Sequence, residues 1–301
     1  MYTDENHKYV LITPAKNEEP FIEKTIMSVV KQTVRPTKWV IVDDGSMDRT
    51  AEIVSSYLPS HEFIHLVRIR PCMTRDFGRK VAAFNAGLEA LGDIPYRFIG
   101  NLDADISLPP DYYATILSEF EHEPHLGLAG GMIHLRIGKN FMSRHTASDS
   151  VSGGVQLFRR ECFRDVGGYL PLPGGGEDAA AEVMARMHGW LVRKVPHRDA
   201  YEQRRTGTAQ NGVLRARYKE GVRFHSLGYG TTFYLCRCVY RIGDRPFLIG
   251  SLLSLLGFLT AELRGYPVYL PALAVLYLRS EQRRKLRQML RQLITGVPLP
   301  S

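Results

Sequence analysis

Over its first two hundred residues the chain alternates short apolar runs with stretches whose apolar positions recur at helical spacing. YVLITP (9–14) is such a run, and a helix near 18–32 follows, with Phe21, Ile22, Ile26, Val29 and Val30 on one face. KWVIVDD (38–44) predicts a second strand, leading into a helix that Ser46 would cap and that runs to Leu58. EFIHLVRI (62–69) predicts a third strand, then a loop and a helix from about Arg79 to Leu91. YRFIGNL (96–102) predicts a fourth, after which Pro109-Pro110 would open a helix, where the missing proline N–H costs nothing. LGLAGGMIHL, GGVQLFRR, a helix over 177–189 and a strand near LVRKV complete the series. This is the pattern of an α/β domain, a mainly parallel sheet with flanking helices.

After Thr208 the pattern changes, which divides the chain into a catalytic-type domain at 1–208 and a basic helical region at 209–301. PFLIGSLLSLLGFLTA gives an apolar run of about 15 residues, short of the roughly 20 that a spanning helix needs. A second run, YPVYLPALAVLYL, is broken by Pro267 and Pro271, so 246–278 reads as interfacial or re-entrant. The tail 279–294 sets Leu286, Met289, Leu290 and Leu293 on one helical face with arginines around the rest, the profile of a helix lying on an anionic membrane surface. A buried helical subdomain is the competing reading.

Charge sharpens that division. The net charge is +8, but residues 201–301 hold 16 Lys+Arg against 5 Asp+Glu, whereas 1–200 hold 23 against 26. The basic character of the last third points to an anionic partner, and without a nucleic-acid-binding motif the membrane is favoured over nucleic acid. Cys72, Cys162, Cys236 and Cys238 lack zinc-site spacing and read as thiols of a reducing compartment. MYTDENHKY carries no charged-then-apolar signal, so the expected location is the cytoplasmic face of the cell membrane.

The chemistry concentrates where predicted strands end. Lys16-Asn17-Glu18 follows the first, Asp43-Asp44 the second, and Asp103-Ala104-Asp105 the fourth. Ligands of open α/β sheets bind at that edge. In an extended backbone Asp103 and Asp105 would project together and repel unless a cation sat between them, and a hard divalent ion takes such oxygen ligands. No G-x-G-x-x-G follows the first strand and no P-loop is present, which disfavours a dinucleotide site.

ITPAKNEEPFIEKTIMSVVKQT, VIVDDGSMDRTAEIV, GRKVAAFNAGLEA, DAD and GGGED, in that order over roughly residues 8–208, resemble glycosyltransferase family 2, whose members have the GT-A fold. The resemblance implies a nucleoside-diphosphate sugar donor, UDP- or GDP-linked, and a Mn²⁺ or Mg²⁺ cofactor. By it, Pro14, Ala15 and Glu18 line the nucleotide pocket, and Asp44 holds the base or ribose beside Asp43. Gly78 and Arg79 approach the donor, while Asn85 and Gly87 serve packing. Asp105 ligates the metal, and Asp103 supports it through ribose or a metal-bound water. Asp178 is the general base of an inverting displacement, with Glu177 next to the acceptor. Asp43 to Ser46 also suit a turn feeding a helix, and Glu177-Asp178 suit a helix N-terminus.

Two departures stand out. Where family members often carry a metal-binding histidine, this chain has Glu202-Gln203, so Glu202 is the candidate substitute; His197 reads as surface. The Q-x-x-R-W motif of processive synthases is unmet, because Gln203-Arg204-Arg205-Thr206 lacks tryptophan, which disfavours long-chain polymerisation. The expectation is a metal-dependent inverting glycosyltransferase acting on a saccharide or lipid-linked acceptor in envelope or exopolysaccharide synthesis. Its rivals are a polyprenyl-phosphate glycosyltransferase, a non-catalytic GT-A-like binding protein and a nucleotidyltransferase; KNEEP is not the glycine-rich loop the last would need.

Overall fold

Apolar runs become the buried central strands of one sheet, as expected where both faces are covered: Tyr9–Ala15 (β1), Lys38–Asp43 (β2) and Phe98–Asn101 (β4). Ile64–Arg68 (β3), with His65 and Arg68 in it, is the partly exposed strand at the edge. The computed structural model describes residues 7–70, 78–137, 140–143, 149–204, 212–243 and 246–295. The chain forms two compact units, one of residues 1–173 and 177–206, the other of 174–176 and 207–301.

In the first unit, Ile22–Val30 (α1), Thr50–Tyr57 (α2) and Gly78–Leu91 (α3) connect β1 to β4. Then come Ile106–Ser107 (β5), Tyr112–His122 (α4), Leu126–Ile137 (β6), Asn140–Ser143 (β7), Leu157–Arg159 (β8), Arg160–Val166 (α5), Glu177–Met187 (α6) and Leu191–Glu202 (β9). Sheet order is β3-β2-β1-β4-β8-β6-β9-β5, with β7 paired to β6. β3, β2, β1 and β4 are mutually parallel; β8 runs antiparallel to β4 and β6, and β6 and β9 are parallel. β1 has β2 on one side and β4 on the other, so strand order reverses between β1 and β4. That is the switch point at which open sheets leave a crevice beyond their carboxyl ends.

The core fixes this edge. Trp39 of β2 is fully buried, and its indole N–H donates to Thr13 Oγ1 of β1 at 2.9 Å, which satisfies the one polar group the ring brings inside. α3 lies on β1 and β2, with Gly87 against Ile12 and Val42. The packing expectation therefore holds for Gly87 but not for Asn85, which is exposed.

Three local readings are corrected. Ser46 does not cap α2, which starts four residues later; its hydroxyl accepts the Asn17 N–H at 2.9 Å. Pro109 and Pro110 precede α4 rather than forming its first turn, because their carbonyls are used elsewhere: Pro109 O accepts from Gln32 Nε2 at 2.7 Å and Pro110 O from Thr33 N–H at 2.8 Å. The DAD segment is not extended. Ile106 N–H donates to Asp103 O at 3.2 Å, closing a turn that sends the two carboxylates to different partners.

The second unit is helical: Val213–Ser226 (α7), Thr231–Tyr240 (α8), Ile249–Leu263 (α9) and Ala272–Thr295 (α10). Tyr234, Cys238 and Phe258 form its buried centre, with the Tyr234 and Phe258 rings stacked 4.4 Å apart. Gly221 of α7 and Gly257 of α9 face backbone of the opposite helix, so the two helices pack at closest approach. The second apolar run and the basic tail meet within one continuous helix, α10. On it Leu286 is half-buried, Met289 and Leu290 are exposed, and the Leu293 side chain is outside the described set. Among the described residues no helix is long and apolar enough to cross a membrane.

Gly87→Ala tests the α3 contact. Its Cβ would stand 2.5 Å from Ile12 Cγ2 and 3.0 Å from Val42 Cγ2, both in the buried core. The expected loss is about 1–3 kcal/mol in unfolding free energy, read from urea denaturation.

Candidate active site

The loops after β1 and β2 are laced together by hydrogen bonds that polar residues at the strand ends supply. Asn17 N–H reaches Ser46 Oγ at 2.9 Å, Glu18 N–H reaches Thr50 Oγ1 at 2.8 Å and Glu19 N–H reaches Asp48 Oδ2 at 3.1 Å. In return Met47 N–H donates to Asn17 Oδ1 at 2.8 Å and Arg49 N–H to Glu19 Oε2 at 3.1 Å. Asn17 sits in the left-handed region, φ 55°, a conformation asparagine tolerates better than most. This lacing sets Pro14, half-buried, and Ala15, buried, beside Asp43 and Asp44. Asp44 N–H donates to Ala15 O at 2.8 Å, and Asp43 Oδ1 accepts the Ser46 N–H at 3.0 Å.

Asp44 is gripped by Arg79. The guanidinium donates to both carboxylate oxygens, Nε to Oδ2 at 3.0 Å, and Lys16 Nζ lies 3.6 Å from Oδ2. Gly78 starts α3 directly before it. The predicted donor-facing arginine is thus engaged with the predicted nucleoside-binding aspartate.

Asp103 and Asp105 separate onto two cations. Asp103 Oδ1 is 2.7 Å from Lys80 Nζ and accepts Asn101 Nδ2 at 3.1 Å. Asp105 Oδ2 is 3.5 Å from Arg204 Nε, and Arg204 also pairs with Glu18. Burial first, then the charges of Asp103, Glu202 and Glu18, push the Asp105 carboxyl up to about 7. Glu18 rises to about 7 because burial outweighs the attraction of Arg204. Glu202 ends β9 opposite Ile106, adding charge to the same cluster. His197 is exposed at φ 59°, within a stretch where β9 slips register against β6, and takes no part in the cluster.

A short 3₁₀ turn, Gly153–Val155, ties Asp103 to Asp178. Gly153 N–H donates to Asp178 Oδ2 at 3.1 Å, and Gly154 O accepts the Asp103 N–H at 3.0 Å. Side chains cannot fit here: a Cβ on Gly153 would lie 2.8 Å from Asp178 Cβ, and one on Gly154 2.9 Å from Asp103 Oδ2. Lys80 Nζ also stands 3.9 Å from Glu177. Burial works against the ammonium, but Asp103 and Glu177 outweigh it and hold its pKa above the usual range. Glu177 is itself raised, by burial and by Asp178. Lys80, Asn101, Gly153, Tyr169, Glu177 and Asp178 line a small cleft.

Sequence reasoning missed several of these residues. Lys80 follows Gly78 and Arg79 in the motif already singled out. Arg204 was read only as part of an unmet motif; Arg205 and Thr206 lie outside the described residues. Asn101 is buried in the cleft wall, and among the described residues its Oδ1 has no hydrogen-bond partner. Glu182, one helical turn after Asp178, accepts the Val151 N–H at 2.6 Å, and burial followed by the Asp178 charge lifts it to about 8. Only its spacing, i+4 from Asp178, hinted at this.

Among the described residues no group of three or more His, Cys, Asp or Glu side chains is arranged to hold a metal ion. The donor set still fits a hard divalent cation. Asp105 and Asp103 are oxygen donors, the Asp105 carboxyl raised by burial and by neighbouring acids, and Arg204 Nε, buried beside Asp105, makes no hydrogen bond. Mg²⁺-type sites commonly use one or two carboxylates and leave the rest to phosphate and water.

The raised Glu182 gives a pH-dependent expectation. A carboxyl whose folded pKa lies above its unfolded value stabilises the fold below about pH 4, and this stability is lost as pH rises through about 8. Glu182→Gln keeps an acceptor for Val151 and cannot ionise. It should melt with the parent near pH 5 and above it near pH 8, the gap growing by up to about 1.4 kcal/mol per pH unit. Thermal melts at both pH values check this.

A sequence model described as Glycosyl transferase family 2 matches residues 10–170. A poly-beta-1,6-N-acetyl-D-glucosamine synthase of Staphylococcus aureus is 24% identical over 212 residues, covering 64% of this chain and 49% of the relative. Its namesake in Staphylococcus epidermidis is 26% identical over 170 residues, covering 50% of this chain and 39% of the relative. The chain thus spans half or less of the length of these relatives. Among solved structures, a mannosyltransferase of Pyrobaculum calidifontis in complex with GDP-Man and Mn²⁺ aligns with TM-score 0.56 at 17% identity, covering 97% of this chain and 85% of that one. S. aureus TarS residues 1–349 with UDP-GlcNAc align with TM-score 0.52 at 17% identity, covering 86% and 73%. These likenesses identify the fold as GT-A. With more than half of its 301 residues matched by the family model, on the fold and with the carboxylate-lined edge described above, the chain belongs to glycosyltransferase family 2.

Proposed function

We propose that this protein moves a sugar from a UDP- or GDP-linked donor to the hydroxyl of a saccharide or lipid-linked acceptor, with inversion and with Mn²⁺ or Mg²⁺ as cofactor. The observation that carries this reading is the 153–155 turn, which brings the Asp178 carboxylate and the Asp103 segment to one cleft. The complexes of structural neighbours with GDP-Man and Mn²⁺ and with UDP-GlcNAc support the donor class.

In this reading Pro14, Ala15, Glu18, Asp43 and Asp44 hold the nucleoside, with Gly78 and Arg79 at the donor's edge. Asp105 and Asp103 would hold the metal, and Glu202 adds negative charge to the same cluster. When bound, the metal offsets the negative charge of the departing diphosphate. Asp178 accepts the proton of the acceptor hydroxyl as its oxygen bonds to the anomeric carbon, while the bond from that carbon to the diphosphate breaks. Glu177 orients the acceptor, and Lys80 balances the carboxylates on either side of the cleft. A single transfer per encounter is favoured over processive polymerisation, because Gln203-Arg204-Arg205-Thr206 does not complete Q-x-x-R-W.

The helical unit supports a membrane-facing location, which we place at the cytoplasmic surface. α9 leaves Leu252 at 61% and Leu256 at 52% exposure, one turn apart, and α10 exposes Leu273 and Leu276. Exposed apolar stripes beside arginines suit the headgroup region of an anionic bilayer.

Asp178→Asn should leave Mn²⁺-dependent donor binding intact while turnover falls roughly 10²–10⁴-fold, measured with a panel of UDP- and GDP-sugars. Retained turnover would instead favour a polyprenyl-phosphate acceptor, which is already ionised and needs no base. EDTA should abolish turnover and excess Mn²⁺ restore it. Leu252→Asp combined with Leu256→Asp should abolish co-sedimentation with phosphatidylglycerol vesicles while the circular dichroism spectrum is kept.

A further inference from the structure

Both acids of the 103–105 pair already face a cation that the chain itself supplies, and the two pairings are unequal. Asp103 meets Lys80 Nζ at 2.7 Å, and the same ammonium stands 3.9 Å from Glu177. Lys80 belongs to the first turn of α3, which packs on β1 and β2, so this cation is built into the frame. Asp105 meets Arg204, which comes from the end of β9 and is held in another way.

Backbone delivers Arg204 to the acids, and side chains keep it over them. Gln203 N–H donates to Asp105 O at 2.9 Å and Gln203 Nε2 to Ser107 Oγ at 3.0 Å, so the residue before Arg204 is fastened to the segment that carries Asp105. The guanidinium then lies between Glu18, to which Nη2 donates, and Asp105, whose Oδ2 is 3.5 Å from Nε. Its central carbon stands 5.2 Å from the centre of the Phe21 ring, a cation–π contact that adds a third hold.

The fit is imperfect. Nε is buried and makes no hydrogen bond among the described residues, and its 3.5 Å approach to Asp105 is longer than a formed N–H···O bond. A buried N–H without an acceptor costs free energy that any rearrangement pairing it with water or an oxygen recovers. The Arg204 side chain is 38% exposed, so it has a short way back to solvent. A divalent ion approaches carboxylate oxygens at about 2.0–2.1 Å and carries twice the charge of a guanidinium. It therefore binds these acids more strongly than Arg204 does, but only once the guanidinium has moved.

We infer that Arg204 is the resident counter-cation of the site: it holds the place between Glu18 and Asp105 until a divalent ion displaces it, and so sets how tightly this chain takes its metal. Lys80 stays with Asp103 and Glu177, where two acids match its ammonium, and Arg204 is the group that yields. The inference rests on the reading of Asp105 as a metal ligand for sugar transfer. Its test uses the metal alone and needs neither sugar nucleotide nor acceptor.

The test titrates the full chain with Mn²⁺ at about pH 8, where carboxylates are ionised, and reads free Mn²⁺ from its electron paramagnetic resonance signal. Arg204→Met keeps an apolar stem beside Phe21, removes the charge and brings no oxygen that could itself ligate. It should tighten Mn²⁺ binding about tenfold or more, the size expected when a like charge next to a bound ion is removed. Tighter binding is a direction that a folding defect does not produce. Arg164→Met removes the same charge from an exposed position on α5 and should leave the affinity nearly unchanged. The inference is overturned if Arg204→Met binds Mn²⁺ as the parent does or more weakly, or if Arg164→Met tightens binding equally; in either case the parent still takes Mn²⁺ and the transfer reading stands. If neither the parent nor Arg204→Met binds Mn²⁺ at millimolar concentration, the inference falls together with the metal-dependent reading.

Discussion

Repulsion between carboxylates at one edge of the sheet is the constraint around which the first unit is arranged. Two like charges 4 Å apart in a setting of effective dielectric near 20 repel by roughly 4 kcal/mol. Asp103 acts on Glu18, Asp105 and Glu177, and Asp178 acts on Glu177 and Glu182; Glu18, Asp105, Glu177 and Glu182 are held above the ordinary carboxylate range. Lys80 and Arg204 are the internal response, each placed between two acids from different parts of the chain. A site arranged this way favours ligands that bring a cation, and a divalent ion with a nucleoside diphosphate does so.

Such a cluster needs a rigid frame. β1, β2 and β4 supply it through a fully buried core, and the loops that follow β1 and β2 are fastened by side chains accepting each other's backbone N–H groups. The 153–155 turn plays the corresponding part between Asp103 and Asp178, where absent side chains allow backbone to approach both carboxylates. Strained electrostatics at the edge and tight packing behind it are two halves of one arrangement, since functional sites commonly keep stability low locally while the scaffold supplies it.

The helical unit follows a different logic. Its small core is aromatic and its surface keeps large apolar side chains exposed. A unit with an acidic sheet edge and a basic helical one share a chain whose net charge alone describes neither.

The linear pattern determined the strands and the placement of acids at their ends, because uninterrupted apolar runs have one economical burial in a parallel sheet and polar residues then fall at the exits. Motif order was enough to identify the family and to single out Asp44, Asp103, Asp105 and Asp178. Tertiary structure alone decided partners. That Lys80 balances Asp103 and Glu177, that Arg204 reaches back to Glu18, and that Asp103 and Asp105 part company depends on distances between segments far apart in sequence and on a turn that no alternation pattern announces. The basic excess of the last third was likewise countable, but only packing of α7, α8 and α9 gathered three arginines around one carboxylate. Charge and hydropathy are properties of residues, readable one at a time, whereas pairing and desolvation are properties of neighbours, which the fold selects.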